Sequence, residues 1–82
     1  MPDISVDSII VFAAFRYALG RSTYIVTDVT DCIQRNASAL PSSDRAEMVR
    51  EISNAIAGGR AGMASDVTAW GHTLERLKKE QP

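Results

Sequence analysis

Five residues within one ten-residue stretch, FRYALGRSTY (15–24), have side chains suited to binding a phosphorylated ligand: Arg16, Tyr17, Arg21, Thr23 and Tyr24. Arginine presents a planar fork of donors that matches two phosphate oxygens at once. A tyrosine face can stack on a nucleobase. If Gly20 reverses the chain, Arg16 and Tyr17 in the last turn of one helix lie beside Arg21, Ser22, Thr23 and Tyr24 at the start of the next. The N-terminus of that second helix adds free backbone N–H groups and the positive end of a dipole, and Thr23 completes an anion site. The same residues also suit a structural corner. Gly20 would then stop a helix, Thr23 cap the next, the tyrosines pack with their hydroxyls at the rim, and Arg16 or Arg21 pair with Asp28 or Asp31. Both readings stand on the sequence.

Other candidate chemistry is sparse. The chain has no G-x-x-x-x-G-K-[ST], G-x-G-x-x-G, H-E-x-x-H or Asp-rich calcium loop. Cys32 and His72 could pair as nucleophile and base, yet Cys32 falls beside an apolar stripe and reads as a small packing residue. His72 reads as a surface or interface histidine. Gly58-Gly59-Arg60-Ala61-Gly62 resembles a phosphate-cradling loop only superficially, because no strand precedes it and two glycines ending a helix explain most of it. Neither an enzyme nor a cofactor is expected, and a single cysteine with a single histidine cannot assemble a zinc site.

Four helical segments must position these groups. The first runs from about Asp3 to Leu19 and ends at Gly20, a left-handed C-terminal residue. Steps of about 100° place Val11, Phe12, Phe15 and Leu19 on one side and Ile10, Ala14 and Tyr17 on another, so this helix is apolar over most of its circumference. It is expected to lie at the centre of the bundle or to be covered by another copy of the chain. The second begins at Ser22 or Thr23 and runs to about Leu40, before Pro41, with the stripe Val26, Val29, Ile33, Ala37 and Leu40. The third is announced by Asp44 and Glu47, spaced as a variant capping box, and stops at Gly58-Gly59. Met48, Val49, Ile52 and Ile56 form its buried face, leaving Arg45, Glu47, Arg50 and Glu51 to water. The fourth, capped by Ser65 or Asp66, carries Val67, Trp70, Leu74 and Leu77, with Glu75 and Lys79 as an i,i+4 pair.

These segments predict an all-α fold: one domain over 1–82, a compact bundle of three to four helices joined by short loops, with neighbours roughly antiparallel. In a chain of 82 residues, 45% hydrophobic and 23% charged, the core is small and self-association is the remaining source of stability, so a homo-oligomer through the first helix is expected. Nine Lys+Arg against ten Asp+Glu give a net charge of −1, which offers no general attraction to nucleic acid or an anionic membrane. With no run of about eighteen apolar residues and no basic start before a hydrophobic stretch, the chain is read as cytoplasmic.

FRYALGRSTY, with the later GGRAGMASD (58–66) and Trp70, resembles a segment shared by short, mostly uncharacterised proteins of tailed phages and prophages. The resemblance carries no reaction, cofactor or catalytic residue. It implies a setting, the infected bacterial cell, where small phage proteins of this kind often act against host defences. The leading expectation is a non-catalytic anti-defence protein that sequesters a nucleotide-derived signal, with Arg16 and Arg21 on phosphate, Thr23 completing the anion site, and Tyr17 or Tyr24 stacking on a base. One alternative is an inhibitor that grips a host defence enzyme such as a CRISPR effector or nuclease. A structural or regulatory phage protein is another.

Overall fold

Helix-forming stripes interrupted by Gly and Pro yield four α-helices among the described residues: α1 (Ser5–Ala18), α2 (Ile25–Asn36), α3 (Ser42–Ala57) and α4 (Ala64–Lys79). The computed structural model describes residues 5–21 and 25–80. The expected helix start at Asp3 and the expected caps Ser22 and Thr23 lie outside those residues. The fold is all-α, and its radius of gyration, 11.8 Å, matches the roughly 12 Å of a compact chain of this length.

The helix ends are set locally. Gly20 takes φ +91° beyond α1, a conformation that disfavours any residue with a Cβ. Its own missing side chain also matters, since a Cβ there would stand 3.3 Å from the Arg60 carbonyl oxygen. Before Pro41, α2 tightens into a single 3-10 turn, Ala37–Ala39, as helices often do at their ends. Helix α3 closes with Gly59 at φ +71°. There the Arg60 N–H donates to Ala55 O at 2.7 Å and the Gly59 N–H to Ile56 O at 3.1 Å, the paired bonds of a Schellman stop. At the start of α4, Asp66 acts from the third helical position, accepting the Met63 N–H at 3.0 Å.

Packing follows a chain of neighbours: α1 lies on α2, α2 on α4, and α4 on α3. The inner helices are therefore α2 and α4, and α1 lies at the outside. Trp70 is fully buried, and the Phe15 ring meets it edge-on at 5.8 Å between centroids, a favourable aromatic geometry. Helix α1 buries only Ser8, Phe15 and Ala18 among its described side chains, while Ile9 is 65% and Ile10 60% exposed. The expectation of a central first helix fails because α1 packs along one helix, α2, and meets α4 through Phe15.

Polar residues depart from the sequence expectations at several points. The buried face of α4 is Asp66, Trp70, Thr73 and Leu77, with Val67 and Leu74 only half-buried. Thr73 tolerates burial because its hydroxyl donates to Ala69 O at 2.9 Å and accepts from Gln34 Nε2 at 3.1 Å, so no desolvated group is left over. In α3, Pro41 precedes the first turn and Asp44 falls inside it, so Asp44 and Glu47 form no capping box. Arg45, expected in water, is half-buried and donates to Ala37 O at 3.2 Å and to Leu40 O. It thereby satisfies carbonyls at the end of the second helical segment. At the C-terminal end of α4 the ion pair is Arg76 with Glu80, and Glu75 and Lys79 stay apart.

Candidate functional site

Because the helices pack in the order α1, α2, α4, α3, the two outer helices do not pack against one another along their length. A seam is left between them. It is bridged where Arg16 of α1 reaches Glu47 of α3 at 3.2 Å, and it ends where Gly20 meets the Arg60 backbone. Between those points lies a cleft of about 480 Å³, within the range that holds a small ligand.

The periodicity of each helix explains which side chains face this cleft. Phe15, Arg16 and Leu19 follow 3-4 spacing along the end of α1, and Glu51 and Ala55 follow i,i+4 spacing along α3. Gly20 and Arg60 come from the two turns that close it. The two glycine-containing stretches picked out in the sequence, FRYALGRSTY and GGRAG, thus meet at one end of the molecule, although about forty positions separate them.

Of the five sequence-nominated residues, Arg16 lines the cleft. Its guanidinium also lies 5.1 Å from the centre of the Phe12 ring, a cation–π distance. Tyr17 and Arg21 face outward and engage each other: the Arg21 guanidinium sits 4.4 Å over the Tyr17 ring and its Nε donates to Tyr17 O at 2.8 Å. Neither arginine pairs with Asp28 or Asp31 as the structural-corner reading had it; Asp31 pairs with Arg35 at 2.9 Å. Thr23 and Tyr24 lie outside the described residues.

Two cleft residues, Glu51 and Arg60, were not nominated from the sequence. Arg60 folds back so that Nη2 donates to Asn54 O at 3.2 Å, which places a cation at the negative end of α3. The signal for it was the GGRAG loop, whose likeness to a phosphate-cradling loop was set below its reading as a helix stop. Glu51 had no signal of its own, because a charged residue next to Arg50 on an amphipathic helix reads as solvated surface.

Among the described residues, the lining holds no Ser, Thr, Cys or His. Cys32 is half-buried with its Sγ 3.6 Å from Asn36 Nδ2, and His72 is exposed on α4. Among the described residues no group of three or more His, Cys, Asp and Glu side chains is arranged to hold a metal ion, and no helix is long and apolar enough to cross a membrane. A scan against protein-family models finds no match, and searches of curated proteins and of solved structures find none either.

Proposed function

We propose that this chain is a non-catalytic binding protein that sequesters a nucleotide-derived ligand in the seam between α1 and α3. In the setting implied by the phage-like segment, that ligand is a signal of the host's defence. Arg16 and Arg60 take the phosphate, Phe15, Leu19 and Ala55 form the apolar wall for a base, and Arg21 stacked on Tyr17 stands at the rim beside Gly20. The observation that carries the reading is that two arginines, one from α1 and one from the turn after α3, line one ligand-sized cleft. The ion pair of Arg16 with Glu47 is exposed and worth about 0–1 kcal/mol, so a phosphate can displace Glu47 at little cost.

Thermal unfolding in the presence of cyclic and linear nucleotides tests this. A ligand at a hundred times its Kd adds about 2.7 kcal/mol, and 1 kcal/mol moves the Tm of a domain this size by roughly 4–8 °C, so a rise of about 10 °C or more is expected. No shift with any nucleotide overturns the proposal.

A second reading, binding of another protein, rests on a separate observation. Ile9, Ile10, Ala13 and Tyr17 leave an exposed, largely apolar strip along α1, the kind of surface that marks association. A second copy of the chain or a host defence enzyme could cover it. Light scattering across a concentration series tests the first occupant, and a strictly monomeric chain rules it out. Capture of one host enzyme whose activity the chain then inhibits would support the second.

A further inference from the structure

The cleft's charges are mixed, and the negative one is unexpected in a phosphate site. Glu51 lines it together with Arg16 and Arg60. Its neighbour one turn earlier, Glu47, is occupied by Arg16 at 3.2 Å and by Arg50 at 3.8 Å. Glu51 has a single ion pair among the described residues, with Arg50 Nη2 at 3.9 Å, at the long limit of such contacts. A carboxylate has two oxygens and about four acceptor positions, so Glu51 keeps capacity to accept from a ligand. Against a phosphate that carboxylate is repulsive. It becomes useful only if the part of the ligand that reaches it presents donors.

We infer that the seam selects guanine, with Glu51 accepting the two adjacent donors of the base, N1–H and the 2-amino group, while Arg16 and Arg60 hold phosphate. This rests on the nucleotide-binding reading above and specifies its base. Guanine is the nucleobase with two neighbouring donors on its pairing edge. Adenine and cytosine place a ring-nitrogen acceptor beside their amino group, and uracil flanks its one N–H with two carbonyls, so each sets an acceptor against the carboxylate. A site built to accept hydrogen bonds discriminates strongly against an analogue that leaves it unpaired. The arrangement divides the work: α3 supplies the base-reading group one turn before Ala55, and α1 and the turn after α3 supply the cations.

The test uses the whole chain and matched ligands that differ only in base: the guanosine, inosine and adenosine 5′-monophosphates and 5′-diphosphates, with cyclic di-GMP and cyclic di-AMP, measured by calorimetry. Guanine forms should bind roughly ten- to a hundred-fold more tightly than adenine forms, the discrimination of a bidentate contact. Inosine, which keeps N1–H and lacks the 2-amino group, should fall between. Glu51→Gln, similar in size and on a half-buried site, should keep its melting temperature and lose the guanine preference. Arg60→Ala should weaken guanine and adenine forms alike. Equal affinity for guanine and adenine, or a preference that survives Glu51→Gln, overturns the guanine assignment and leaves the binding reading standing. If no nucleotide binds in any form, the binding reading itself fails.

Discussion

Helices α1 and α4 reverse what their compositions suggest. Between Ser8 and Ala18, α1 has one charged side chain, Arg16, yet Ile9 and Ile10 stand in solvent. Helix α4 is polar over much of its surface, yet Trp70, Thr73 and Leu77 are completely enclosed. The difference lies in neighbours: α4 has α2 on one side and α3 on the other, whereas α1 packs along α2 and faces an open seam on its α3 side. Burial here follows from how many helices reach a face. Apolarity sets only how much is gained when they do.

The sharpest way to break this comparison is to truncate one large apolar side chain in each helix. Trp70→Ala is expected to cost at least about 3–5 kcal/mol, the usual range for a large aromatic removed from a core, whereas Ile10→Ala should change stability by less than about 0.5 kcal/mol. Urea unfolding measures both. A cost at Ile10 approaching that at Trp70 would mean that α1 is buried in an assembly, and it would then depend on protein concentration.

The two glycine turns permit a finer contrast. Gly20 and Gly59 both have positive φ, so alanine at either should cost about 1–2 kcal/mol for the left-handed backbone. At Gly59 an added Cβ meets open space, and at Gly20 it meets the Arg60 carbonyl. Gly20→Ala should therefore be the more damaging, and should also weaken ligand binding by opening the end of the cleft. Equal melting temperatures for the two variants would show that the contact between the turns contributes nothing.

Smaller effects separate site from scaffold. Arg45→Met removes the donor to Leu40 O and leaves Ala37 O with the Leu40 N–H at 3.4 Å, and should cost roughly 1–2 kcal/mol. Arg16→Ala should alter stability by no more than about 1 kcal/mol, since its ion pair with Glu47 is exposed, while reducing nucleotide affinity at least tenfold. Ile10→Glu should leave the melting temperature of the monomer unchanged and lower the association seen by light scattering; unchanged association would remove α1 as the contact between copies.

Much of the secondary structure was legible from residue spacing. Val26, Ile33, Ala37 and Leu40 are buried along one face, and Met48 and Ile52 along another, as their stripes required. In α4 the register was displaced by a fraction of a turn, because Asp66 and Thr73 are polar: Asp66 was read only as a possible cap, and Thr73 had no place in the apolar stripe. Their hydrogen bonds, to the Met63 N–H and between Ala69 and Gln34, offset their burial, and such partners are invisible to hydrophobic periodicity. Arg45 was misread for the same reason. Of the nominated corner, Arg16 reaches the cleft, while Tyr17 and Arg21 turn to each other.

By itself, the sequence determined the all-α class, the four helical segments and their breaks at Gly20, Pro41 and Gly58-Gly59, because backbone propensity, capping and apolar spacing act over a few residues. Tertiary structure alone decided that α2 and α4 are the inner helices, that α1 keeps an exposed strip, and that Arg16, Glu51 and Arg60 share a cleft. Those outcomes depend on which helix faces meet. The meeting of faces is governed by packing between residues far apart in the chain, which no local pattern encodes.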